Sequence, residues 1–504
     1  MCVALRIWLI PATHPQYTKY AKYLVPGWMG SRWRDNSDIQ YRLFRDHAVT
    51  IAAIMTIQAA MTYVLRSIVR ACRLSAVTAK QVRICYLFVL GVVFVSALHG
   101  INALKLFLIA VGNYRLVRLG VRLPRRLATV LVWLYNAGML FVAFYTSGLP
   151  FESVSSSWAW LDAYTGLLPR WWISFNFGML RLVSFALDAL WATDEKTPRT
   201  PKNAKERVRQ SRPANEYSFV HSLVYLWYPP LFIAGPVMTF NDFAAQLDVP
   251  LYIPPRAIAG YMVRCIIALF SMEFMLHYMY VNAIKSARAW EGCTPMELGM
   301  IGLFNLEFVW FKLVIPWRVF RLWALLDGVD APENMIRAIT NSPSALGFWR
   351  SWHRSYNQWV VRYVYIPLGG SRNQLLAMLV VFTFVALWHD LSFTLLAWAW
   401  LIVLFVIPEM LGRYLCPAER YGHRPWFRHI RSLGSVANVF MMMTANLVGF
   451  VIGLDGIQFL WSQLGGTAAG RWYLVGATAV LFVGVQLMYE YRAEEIRRGV
   501  LRNC

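Results

Sequence analysis

Charge is scarce in this 504-residue chain: Asp, Glu, Lys and Arg make up 15% of it, against about 25% in an ordinary soluble domain. Acidic residues are scarcer still, 26 against 49 Lys and Arg, which leaves a net charge of +23. With 58% apolar residues and a mean hydropathy of +0.44, there is too little polar surface to coat a water-soluble body. That excludes a soluble globular protein. Cysteine pairing is absent as well: Cys2, Cys72, Cys85, Cys265, Cys293, Cys416 and Cys504 are scattered and odd in number, which supports neither a disulfide framework nor a zinc site. The chain also lacks G-x-S-x-G, Walker A and H-E-x-x-H motifs, and has no G-x-G-x-x-G at a strand-to-helix turn. Covalent serine, nucleotide-hydrolysing and metal mechanisms therefore have no support here, and neither a metal nor a cofactor is expected. No repeat of the solenoid or transporter kind is visible.

Long apolar stretches are what the chain has instead. Eleven of them, at 48–65, 84–111, 128–145, 171–190, 219–239, 259–281, 298–316, 375–389, 393–411, 435–453 and 472–489, are long enough to cross or enter a bilayer core of about 30 Å. The expected fold is all-α and polytopic, with about 10–12 membrane helices, some re-entrant or of half length. The basic residues fall in short clusters between these stretches, which points to anionic lipid and phosphorylated small molecules as partners and away from nucleic acid. Residues 1–45 read as an N-terminal interfacial segment with no cleaved leader, and 491–504 as a basic tail.

Two segments break the pattern. Arg66, Arg70, Arg73, Lys80 and Arg83 precede the 84–111 stretch, and Arg115, Arg118, Arg122, Arg125 and Arg126 follow it. Basic loops favour one side of a membrane, and His99-Gly100 and Asn102 interrupt the stretch, so a hairpin of two half-length helices is expected there. In Tyr225-Leu-Trp-Tyr-Pro-Pro-Leu-Phe-Ile-Ala-Gly-Pro236, three prolines remove backbone donors, so a broken or re-entrant segment is expected. The charged, proline-containing stretch at 192–216 reads as a flexible, exposed basic loop.

Chemistry concentrates between Phe348 and Asp390. At helical period, Trp349, Trp352, His353, Tyr356, Trp359, Val360 and Tyr363 share one face, with Arg350, Arg354 and Asn357 on another. This reads as one amphipathic helix, ended by Pro367 and Gly369-Gly370. Leu375 to Trp388 then runs without a charge into His389. A histidine in hydrocarbon is costly, and its titration range suits it to general-base work. Arg181 with Asp188 and Glu307 with Lys312 read as paired structural charges, and Glu273 with His277 as an alternative catalytic pair.

FWRSWHRSYNQWVVRYVYIPLGGSR followed by VVFTFVALWHD, together with YLWYPPLFIAGPVMTFNDF, EFMLHYMYVNAI and PWRVFRLWALLDGVDAPENMIR, resembles the membrane-bound O-acyltransferase (MBOAT) superfamily, and within it the glycerol-uptake-protein branch. The resemblance implies a transmembrane acyltransferase domain over 46–490, with a tunnel through the membrane that admits acyl-CoA, the co-substrate, from the cytosolic side. It implies that His389 is the catalytic histidine and His353 the second active-site position, and that Arg350, Trp352, Arg354, Asn357, Arg362, Arg372 and Trp388 are candidates for the acyl-CoA site. It further implies an acyl transfer to a hydroxyl of a lipid or lipid-anchored acceptor, as in remodelling of a lyso-glycosylphosphatidylinositol (lyso-GPI) anchor at sn-2, in the endoplasmic reticulum membrane. A glycerol or polyol transporter, an N-terminal protein acyltransferase and a lysophospholipid acyltransferase remain the alternatives.

Overall fold

The computed structural model of the chain describes residues 16–192, 201, 203–248 and 251–500. In hydrocarbon each backbone N–H and C=O must find its partner inside the segment, so uncharged runs fold as helices. Among the described residues, strand is confined to a hairpin of β1 (Leu24–Pro26) and β2 (Trp33–Asp35), with Leu24 opposite Asp35. It leads into α1 (Ile39–Asp46), which Asp38 caps by accepting from the Tyr41 N–H at 2.7 Å. The first half of the membrane body is α2 (Ala48–Ala71), α3 (Ala76–His99), α4 (Ala103–Gly120), α5 (Arg125–Tyr145) and α6 (Trp171–Leu190), followed by the short α7 (Ala204–Arg209), α8 (Phe219–Leu226) and α9 (Phe240–Asp248). The second half is α10 (Pro255–Tyr278), α11 (Pro295–Leu326), the short α12 (Ala345–Ser351) and α13 (Arg354–Val360), then α14 (Gln374–His389), α15 (Phe393–Leu415), α16 (Pro425–Leu447), α17 (Gly453–Gly466) and α18 (Ala468–Arg497). Among the described residues, 10 helical stretches are long and apolar enough to cross a membrane.

The break at His99–Asn102 falls where the sequence places it, but the arms are not half-length. α3 has 24 residues and α4 has 18, about 36 and 27 Å at 1.5 Å per residue. α3 is longer than the apolar core is thick, and its basic start has partners. Lys80 pairs with Glu216 at 2.7 Å and with Asp248, and Arg83 donates to the Gln246 carbonyl. Both arms still return to one side: Gly120 packs on Leu190, two residues beyond Asp188, which accepts from the Asn241 N–H, and Asn241 in turn accepts from Tyr217, next to Glu216.

A second expectation is corrected in part at 203–216. Most of this part of the basic loop is exposed, but two of its arginines are not: Arg207 is buried against Asp242 at 2.5 Å, and Arg212 against Glu216 at 2.8 Å and against Asp248. Burial raises the Glu216 carboxyl, but the hydrogen bonds from Arg212 and Lys80 outweigh it and hold the group below its usual range. Two of the charges that look solvating in sequence, Arg207 and Arg212, are held instead in buried ion pairs. Residues 193–200 and 202 of that loop lie outside the described residues.

The proline-rich segment is broken as expected. α8 stops at Leu226, Pro229 and Pro230 open a single turn to Phe232, and helix resumes only at Phe240. Protein covers the irregular backbone, with Tyr225 donating to the Met238 carbonyl and Tyr228 to Asp327. The expected charge pairs are also rearranged. Arg181 donates to the Leu226 carbonyl, Asp188 pairs with Arg362 at 2.7 Å, and Lys312 pairs with Asp38 at 2.9 Å instead of with Glu307. In His277, Nδ1–H donates to the Glu273 carbonyl and Nε2 accepts from the Trp28 N–H. Both ring nitrogens are occupied, so Glu273 and His277 anchor the N-terminal hairpin and are not a free catalytic pair.

Candidate active site

A cavity of about 1030 Å³ opens between α6, α11, α14, α16 and α18. One side of α14 lines it at Gln374, Met378, Val381, Val385 and Trp388, steps of three and four that put these side chains on one helical stripe. α14 ends at His389, which is itself part of the cavity wall. Opposite, α18 contributes Val480, Leu481, Gly484 and Met488. Most of the lining is apolar, a shape and chemistry suited to an acyl chain.

The expected single amphipathic helix at 348–363 is broken in the middle. α12 ends at Ser351, Trp352 is extended, and His353 takes a left-handed conformation with φ +43°. A non-glycine residue there costs about 1–3 kcal/mol and persists only where its surroundings hold it. Asn334 does the holding: its backbone carbonyl accepts from the Arg354 N–H at 2.9 Å, and its side-chain oxygen from the Ser355 N–H at 3.2 Å. Tertiary hydrogen bonds thus override a helical period that reads as continuous in the sequence.

The break aims the aromatic residues differently from an unbroken helix. Trp349, Trp352, His353 and Tyr356 reach the cavity. Trp359 donates to the Leu180 carbonyl, and Tyr363 to Asp188. Four rings form a ladder along the wall. Trp317 stacks on His353 at 4.5 Å, His353 on Tyr356 at 5.2 Å, and Tyr356 on Trp388 at 4.7 Å, with His389 next in the chain. His353 Nε2, Tyr356 Oη and Trp349 Nε1 are buried without a protein partner. Such orphans are uncommon in folded proteins.

Of the basic and polar candidates, Arg350 and Asn357 line the cavity together with Trp352 and Trp388. The Asn357 amide also bridges the helix break to the Trp349 carbonyl at 3.1 Å. Arg354, Arg362 and Arg372 do not line it; Arg362 is tied to Asp188 instead. Sequence reasoning missed Asn176 on α6 and Asn438 and Asn446 on α16, all in the wall. Each is an isolated amide in an apolar run, which was the available signal.

An apolar cavity with two histidines on its wall, among helices long and apolar enough to cross a membrane, suits a membrane enzyme that handles an acyl chain. The chain matches the family model described as MBOAT, membrane-bound O-acyltransferase family, over residues 127–454, more than half its length. It is 42% identical to the membrane-bound O-acyltransferase GUP1 of Saccharomyces cerevisiae over 97% of this chain and 88% of that protein. It is 36% identical to GUP2 of the same yeast over 98% and 84%. A more distant relative is the mouse protein-cysteine N-palmitoyltransferase HHAT, 27% identical over 58% of this chain and 62% of that protein. The chain belongs to the membrane-bound O-acyltransferase family, and it is an acyltransferase and a multi-pass membrane protein.

Proposed function

We propose that the enzyme moves a fatty acyl group from acyl-CoA to a hydroxyl, with His389 as general base. The observation that carries this is that His389 and His353, the latter with an unpartnered Nε2, line one apolar cavity, with the Tyr356–Trp388 stack between them. The acyl chain lies along the α14 stripe, and Arg350 at the cavity wall meets CoA phosphates through its guanidinium fork. His389 accepts the proton of the acceptor hydroxyl as its oxygen attacks the thioester carbonyl carbon. His353 supports the oxyanion. Collapse of that adduct forms the ester and breaks the C–S bond, and the thiolate leaves with the proton returned by His389. Water kept from the thioester favours transfer over hydrolysis.

The basic start of α3 and the 203–216 segment lie together, and we read that end as cytosolic under the positive-inside rule, the side from which acyl-CoA enters. The acceptor we favour is a lyso-GPI acylated at sn-2 in the endoplasmic reticulum. It rests on the resemblance to the glycerol-uptake branch. The test supplies purified enzyme with labelled palmitoyl-CoA and either lyso-GPI, lysophosphatidylinositol or a peptide with a free amino terminus. His389→Ala is expected to lose on the order of 10²–10⁴ in transfer. An alanine variant as fast as wild type overturns the base, and labelling of the peptide alone overturns the hydroxyl acceptor.

A further inference from the structure

α14 ends inside the membrane body, at His389, and the last carbonyls of any helix lack intrahelical donors. One of them finds its donor on α6, 212 residues earlier in the chain. The Asn176 side-chain amide donates to the Trp388 carbonyl at 3.2 Å, and the Trp388 indole N–H donates back to the Asn176 carbonyl at 2.9 Å. This reciprocal clamp sits on the cavity wall and fixes the peptide unit that joins Trp388 to His389. The Trp388 ring it orients stacks on Tyr356, which stacks on His353. The same indole meets Phe177, the neighbour of Asn176, edge-on at 5.5 Å.

We propose that Asn176 is a positioning residue for the reaction, holding the end of α14 so that the His389 ring keeps its aim into the cavity relative to His353. The inference rests on His389 being the base. The chemistry requires a donor at this position, not merely a side chain of this volume. Leucine there has nearly the volume of asparagine and nothing to donate, and alanine likewise leaves the carbonyl unpaired in an apolar wall. Small displacements of a base carry large kinetic costs, on the order of 100-fold for about 1 Å. The rest of the acyl-donor wall, the α14 stripe from Gln374 to Val385 and Arg350, is left alone.

The test uses full-length enzyme in detergent micelles, palmitoyl-CoA and lysophosphatidylinositol, with CoA release and lipid labelling read together. Asn176→Leu, close in volume to the native residue but without a donor, and Asn176→Ala are both expected to lower kcat by about 10- to 100-fold while KM for palmitoyl-CoA stays within about two-fold. Trp388→Phe keeps an aromatic ring at the stack and removes the return N–H; read on kcat, the double variant with Asn176→Leu is expected to be no slower than the slower single one. Wild-type kcat in Asn176→Leu, a loss carried by KM in that variant, or additive kcat losses in the double variant would each overturn the inference. If Asn176→Ala does not fold, Asn176→Leu alone decides by the same kcat and KM split. His389→Ala runs alongside. If it is inactive while Asn176→Leu is normal, only the positioning role fails, whereas full activity in His389→Ala removes the base itself.

Discussion

α6 and α14 meet at Asn176 and Trp388, yet they are built for opposite surroundings. The most apolar window of α6 is 72% buried in protein, while that of the stretch carrying α14 is 17% buried. α6 spends its polar residues on the scaffold: Arg181 on the Leu226 carbonyl, Ser184 on Tyr363, and Asp188 on Arg362, Tyr363 and the Asn241 N–H. α14 has no charged residue before its terminal histidine and gives its surface to lipid and to the cavity. The difference separates stability from specificity. One helix is a post fixed on nearly every side, and the other is a wall whose neighbours include the substrate. The histidine gains a fixed reference point where the two touch.

The largest effect that sharpens this contrast comes from the post. Asp188→Ala leaves the Arg362 guanidinium without its carboxylate in the interior, and losing one partner of such a pair costs about 3–5 kcal/mol. A clear drop in the thermal unfolding midpoint of the detergent-solubilised protein is expected. Unchanged unfolding would make α6 no more structural than α14. A smaller effect on stability, with a change in substrate choice, is expected on the wall side. Gly484 on α18 faces the cavity, and a Cβ built there meets nothing within 4 Å. Gly484→Phe should fold normally and shorten the space for the acyl chain. Competition between palmitoyl-CoA and lauroyl-CoA should shift toward the shorter donor, and an unshifted ratio would remove α18 from the acyl path.

The same contrast explains what could be read in advance. Helices dictated by uncharged runs, such as α14 up to His389, were legible because hydrocarbon leaves the backbone no other choice. The bend at His99–Asn102 and the broken Tyr225–Pro236 segment were legible because glycine and proline act locally. The break at His353 was not, since Asn334, which holds it, lies nineteen residues away and nothing in the local period announces it. The burial of Arg207 and Arg212 was equally hidden. Their partners Asp242 and Asp248 are distant in sequence, and composition alone makes such a stretch look solvated. At the site, the two histidines and the aromatic wall were visible, whereas the assignment of Arg362 to Asp188, and so away from the cavity, needed the fold.

The most direct measurement is a structure of the enzyme holding a non-hydrolysable thioether analogue of palmitoyl-CoA. We expect its acyl carbons between the Met378–Val385 stripe of α14 and Gly484 of α18, with the carbon that stands for the thioester carbonyl beside His389 and His353. An acyl chain lodged outside this cavity, with both histidines remote from the thioether, would contradict the assignment of the active site.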